Sequence, residues 1–155
     1  MSDCIDIVEV AQTLPTRRRG RACIVFTYDI KDQAAWAKTV AERTSADYIN
    51  VLEQFYADQG LIDRLRTLLV QDFFEYLQHQ SDNRLLIVSG IEFLMAMWAS
   101  QADYVEQFAG MLEKWDQKPA LLVVMQYNKK IDQYNFSRRF GDTTYIVDRR
   151  ETFAL

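Results

Sequence analysis

Histidine is nearly missing from this chain, and His79 stands alone in the polar stretch HQSDN. With no G-x-S-x-G segment beside it, nucleophilic hydrolysis has no foothold, and His79 reads as an exposed side chain. Cysteine is almost as scarce. Cys4 and Cys23 form no metal-ligand spacing, and Cys23, inside an apolar run, reads as a buried thiol. No apolar run nears the ~18 residues of a membrane span, and no apolar leader opens the chain, so a soluble, cytoplasmic protein without membrane partners is expected. Basic excess is lacking too: the net charge is −4 and the pI about 5.0. That argues against a general nucleic-acid partner. The residues that offer one a foothold are Arg17, Arg18, Arg19 and Arg21, whose plainer reading is a solvated basic loop.

The 155 residues suit a single domain, 1–155, with 1–21 as an N-terminal helix and basic connector. Hydrophobic residues make up 49% and aromatics 13%, enough for a full core. Residues 2–12 favour a helix capped by Asp3, although Ile5, Ile7, Val8 and Val10 also suit a strand. Apolar runs at 22–28 (ACIVFTY), 46–51 (ADYINV), 84–89 (RLLIVS), 120–126 (ALLVVMQ) and 143–148 (TTYIVD) predict five strands. Helices are predicted at 33–44, at 61–80 with leucines and aromatics at three- and four-residue spacing, and at 100–116 with Ser100 as N-cap. Residues 128–142 read as irregular with a turn of helix. Strands alternating with helices give an α/β fold: three layers around a mostly parallel five-stranded sheet. Ligands in such folds sit beyond the carboxyl ends of the strands.

The chain is organised around residues 21–43, a buried strand, a tight turn and an amphipathic helix. In P-loop proteins that unit carries G-x-x-x-x-G-K-[ST], whose backbone N–H groups, lysine and hydroxyl hold phosphates and Mg²⁺. Laid without gaps on this unit, the four motif positions are Thr27, Asp32, Gln33 and Ala34, and none matches. Asp29 and Asp32 put negative charge where a polyphosphate would sit. After the third apolar run, Ser89 and Gly90 stand where a Mg²⁺-holding acid and a catalytic glutamate are expected, with Glu92 two residues on. The fold is thus expected to be P-loop-NTPase-like without a working Walker A, and no cofactor is expected.

The order of elements over about residues 21–148 resembles the RecA/AAA-type ATPase core. More narrowly, ADYINV, the leucine-rich helix and LLIVSGIEFL resemble the small P-loop protein of BREX phage-defence systems. That resemblance implies a component of a bacterial anti-phage complex. The departures are the Walker residues themselves, so ATP binding and hydrolysis do not carry over with it.

Other constellations compete. Asp29, Glu92 and Asp148 follow strand ends and are metal candidates for phosphoryl chemistry, if they converge; the plainer reading makes them turn and capping acids. The segment IEFLMAMW holds more large apolar groups than one short helix face can bury. Phe93, Met95, Met97 and Trp98 are therefore partner-binding candidates, with core packing as the alternative for each. Phe153 and Leu155 share the reading. Arg138 and Arg139 lie where AAA-like proteins place an arginine that reaches a neighbouring subunit's nucleotide; solvated side chains are the alternative. The expected function is a non-catalytic interaction or scaffold component, binding a protein partner or a second copy. The rivals are an enzyme with an atypical acidic metal site and a nucleotide-binding subunit completed by a partner.

Overall fold

Five apolar runs become five strands in the computed structural model, which describes residues 4–136 and 144–153. Strands β1 (Ala22–Thr27) and β3 (Leu85–Ser89) are buried along their whole length, and β4 (Ala120–Gln126) up to its last residue. Cover on both faces is why these runs lack polar alternation. The shorter β2 (Asp47–Asn50) and β5 (Ile146–Asp148) are partly exposed and form the edges. The order is β2-β3-β4-β1-β5 and every pair is parallel. Ala22 to Thr27 face Leu121 to Gln126 one for one, so β1 and β4 end level.

The helices are α1 (Ile7–Thr13), α2 (Gln33–Thr44), α3 (Val51–Ala57), α4 (Gln59–Arg64), α5 (Val70–Gln78), α6 (Glu92–Ala99), α7 (Tyr104–Glu113) and α8 (Lys129–Gln133). The path from β1 to β2 crosses the sheet one way, past the places of β4 and β3. Every later step runs back the other way. With right-handed crossovers, α2 must then lie on one face and the later helices on the opposite face. The packing agrees. Cys23, Val25, Ile87 and Leu122 share a core with Ile7, Leu14, Trp36 and Val40. Ile24, Phe26, Leu86 and Val123 share the other with Phe55, Phe73, Trp98 and Phe108. Three layers and a five-stranded sheet are the fold expected from the sequence, and the sheet, expected to be mostly parallel, is parallel throughout.

Several elements differ in detail. The N-terminal helix begins at Ile7 under an Asp6 cap, whose Oδ1 accepts from Glu9 N at 3.2 Å, while Ile5 makes a parallel bridge to Thr152. The leucine-rich stretch is not one helix: α4 ends in a 3₁₀ turn, Leu68 and Leu69 are extended, and α5 restarts at Val70. The break has a partner. Trp98 Nε1 donates to the freed Leu68 carbonyl (3.4 Å), and the Asp72 carboxylate accepts from Leu69 N (3.1 Å). Ser100 does not start α7; it ends α6, donating to the Met97 carbonyl at 2.9 Å, and Asp103 in left-handed conformation precedes α7.

Candidate functional site

β1 and β4 are neighbours, yet the chain leaves them toward opposite faces, into α2 and α8. In open parallel sheets that divergence opens the ligand crevice. Here the crevice is occupied by the chain's own side chains. Gln33 opens α2 and is 3% exposed; Thr27 closes β1 and is fully buried. Gln33 Nε2 donates to Thr27 Oγ1 at 3.0 Å and to Glu92 Oε2 at 3.2 Å. The same Glu92 oxygen accepts from the backbone N–H of Gln126, at the end of β4, at 2.8 Å. Glu92 reaches this point because α6 starts there, two residues past β3. Four residues from β1, α2, α6 and β4 thus satisfy one another where a ligand would otherwise bring acceptors.

The other Walker-equivalent positions are tied up as well. The Asp32 carboxylate takes both Nη1 (2.7 Å) and Nη2 (2.8 Å) of Arg149, in the 3₁₀ turn after β5. That paired hydrogen bond holds the Asp32 carboxyl below the usual carboxylate range. Ala34 lies in the first turn of α2 and offers no polar atom. Ser89 is fully buried, its Oγ 2.5 Å from the Tyr48 hydroxyl. Gly90 has φ of +76°, and a Cβ there would stand 2.3 Å from Asn50 Oδ1.

The three metal candidates do not converge. Asp29 Oδ1 accepts from Lys31 N at 2.9 Å within its own loop. Glu92 is committed to Gln33 and Gln126. Asp148 caps the 3₁₀ turn through Arg150 N (2.9 Å) and pairs with the Arg150 guanidinium (2.8 Å), which lowers its carboxyl pKa. Among the described residues no three His, Cys, Asp or Glu come together as a metal-holding group.

The strip after β3 corrects the exposed-patch expectation. Trp98 is fully buried and Met95 is 6% exposed; Phe93 and Met97 are half-buried and packed on the core. One helix accommodates them because it is covered on several sides. Trp98 meets Phe73 (5.8 Å between ring centroids) and Phe108 (6.0 Å), while Phe93 meets Phe55 (5.5 Å). Arg138, Arg139 and Leu155 lie outside the described residues; Phe153 is 53% exposed. In the basic connector, Arg17 donates to the Gly20 and Thr144 carbonyls (3.2 and 3.0 Å) and Arg21 to the Asp116 carbonyl (3.0 Å). These bonds cluster at the amino end of β1, across the sheet from the crevice. His79 is exposed at the end of α5.

The sequence reading pointed to the segments after the strand carboxyl ends but gave no role to the residues at the rim of the crevice. Tyr28 stacks on Tyr127 (5.7 Å, 17°), and the Arg150 guanidinium lies 3.8 Å from the centre of the Tyr28 ring. Both tyrosines follow strand carboxyl ends, the one signal that pointed to them. The molecule is therefore a three-layer, all-parallel α/β protein in which side chains of β1, α2 and α6 and the backbone of β4 bond to one another at the carboxyl ends of β1 and β4. No family model matches the chain, and no curated protein matches it.

Proposed function

We propose that the chain is a non-catalytic P-loop-like protein that works as an interaction or scaffold component. The setting implied by its sequence resemblance is a bacterial phage-defence complex, and its compartment the cytoplasm. The observation that carries this reading is the Gln33–Glu92–Gln126 network. A ligand with phosphates would have to displace the Glu92 carboxylate and break its two hydrogen bonds, to Gln33 Nε2 and Gln126 N. In a partly desolvated crevice, like charges of that kind cost on the order of kcal/mol, not tenths. Among the described residues no helix is long and apolar enough to cross a membrane.

Calorimetry with Mg²⁺-ATP tests the reading. The expected result is no binding up to millimolar nucleotide. A micromolar dissociation constant would overturn it and favour the nucleotide-binding rival.

A further inference from the structure

The apolar element least absorbed by the fold is the leucine-rich stretch between α3 and α5. Residues 61–69 (LIDRLRTLL) contain Leu61, Ile62, Leu65, Leu68 and Leu69, yet neither α4 nor the 3₁₀ turn after it buries a single residue fully. Leu61, Leu65 and Leu68 are only part-covered by the core, and Ile62 and Leu69 are 36% and 48% exposed. Beside them lies a groove of about 510 Å³. Its apolar lining is Phe55, Leu61, Leu68 and Tyr76; its exposed lining is Arg64, Thr67, Asp72, Glu75 and His79, two acids against one arginine. Burial next to Asp58 pushes the Tyr76 hydroxyl up to about 12, so it stays neutral at the groove wall. Residues 51–80 carry five acids against two arginines, in a chain whose whole net charge is −4.

We infer that this groove docks a basic amphipathic helix of a partner protein. The inference rests on the reading of the chain as an interaction component and names the surface and the partner's chemistry. The part-covered leucines and the groove supply seats for aliphatic anchors at helical spacing. The acidic helical unit supplies the complementary charge, which steers and orients a cationic partner. A second copy of this chain offers no such helix among the described residues. The exposed bases of α2 alternate with Glu42, and Lys129 and Lys130 of α8 precede a buried Ile131 and an exposed Asp132. The exposed aliphatics Ile62 and Leu69 stand next in the chain to the lining residues Leu61 and Leu68.

The test uses the full chain and two fluorescein-labelled probe helices, one of leucine and lysine with leucines at helical spacing, the other with glutamate for lysine. Anisotropy should show binding of the leucine–lysine helix alone. Glu75→Lys and Thr67→Arg, both at exposed groove positions, should weaken it about tenfold or more. Glu106→Lys, exposed on α7, should leave it unchanged. Equal affinity in all variants, or no binding of the probe, overturns the proposal. So does dimerisation in sedimentation that Thr67→Arg abolishes, because a second copy would then fill the groove. If the probe fails and Mg²⁺-ATP also fails to bind, the docking proposal falls and the interaction reading stands. Micromolar ATP binding overturns the interaction reading whatever the probe does.

Discussion

Gly90 turns the chain out of β3 with φ of +76°, a conformation that disfavours any side chain. Its neighbour makes the demand stricter. A Cβ would meet Asn50 Oδ1 at 2.3 Å and Leu52 N at 3.1 Å, and that Asn50 oxygen accepts from Glu53 N at 3.2 Å to cap α3. Gly90→Ala should therefore add backbone strain and disturb the cap together, lowering stability by about 1–3 kcal/mol; urea unfolding would measure it. An unchanged midpoint would mean that the turn relaxes freely. Trp98 is a different case, a large ring with no exposure and a single polar atom satisfied by the Leu68 carbonyl. Trp98→Ala should cost about 3–5 kcal/mol of monomer stability. A near-neutral effect would restore the exposed-surface reading of this residue. The sequence left Trp98 ambiguous because burial of the α6 strip depends on aromatic rings from three other helices, α3, α5 and α7, two of them distant in the chain. The Gln33–Glu92 contact was hidden for the same reason: its partners are 59 residues apart.

At the scale of elements, the apolar runs made the five strands legible, and the α2 boundaries, 33–44, agree with the structure. Short helices were harder. α3 follows β2 without a break, so the apolar ADYINV run hid the Asn50 cap that starts a helix at Val51. The leucine periodicity ran through the Leu68–Leu69 break because no Gly or Pro marks it; the break is set by Asp72 and Trp98 instead. The 3₁₀ turn after β5 was not among the predicted elements, yet Arg149 fastens it to Asp32 before α2, and Arg150 pairs locally with Asp148 at the end of β5. Both carboxyls have pKa values lowered chiefly by the arginine hydrogen bonds. A lowered pKa in the folded state means stabilisation that is present above the unfolded carboxylate pKa and lost as pH falls through the folded value. Asp32→Asn should thus melt below the native chain at neutral pH, with the difference closing below about pH 4. The difference should be small because Asp32 is 55% exposed in its side chain. A difference that persists unchanged in strong acid would show that the pair acts by shape and not by charge.

For the whole molecule, the question is whether the two layers of helices can open separately. The layer of α1 and α2 is thin, and thin layers are the natural sites of partial opening. Three ties hold it. Trp36, Ala37, Val40 and Ala41 bury one face of α2 against the sheet. Arg149 holds Asp32 from the C-terminal side, and Gln33 reaches through to Glu92 of α6, which belongs to the opposite layer. Cys23 reports on all of this. Its side chain lies under α1 and α2 on the interior strand β1, and burial pushes its thiol up to about 12. Thiolate, the reactive form, is therefore negligible in the folded chain at pH 8. Cys4 is exposed and serves as the internal reference. With an aromatic disulfide reagent, Cys4 should react at once and Cys23 only through opening. If the ties make the layers one cooperative unit, the free energy derived from the slow Cys23 rate will equal that of urea unfolding, within the range of ~5–15 kcal/mol usual for a domain. A protection several kcal/mol smaller would mean that α1 and α2 lift off alone. Glu92→Ala removes the tie through Gln33 and leaves Gln33 Nε2 with Thr27 alone. It should lower Cys23 protection and global stability together, by about 1–3 kcal/mol. A fall in Cys23 protection without a fall in global stability would instead mark the crevice network as the latch between the layers, and would refute the single-unit account.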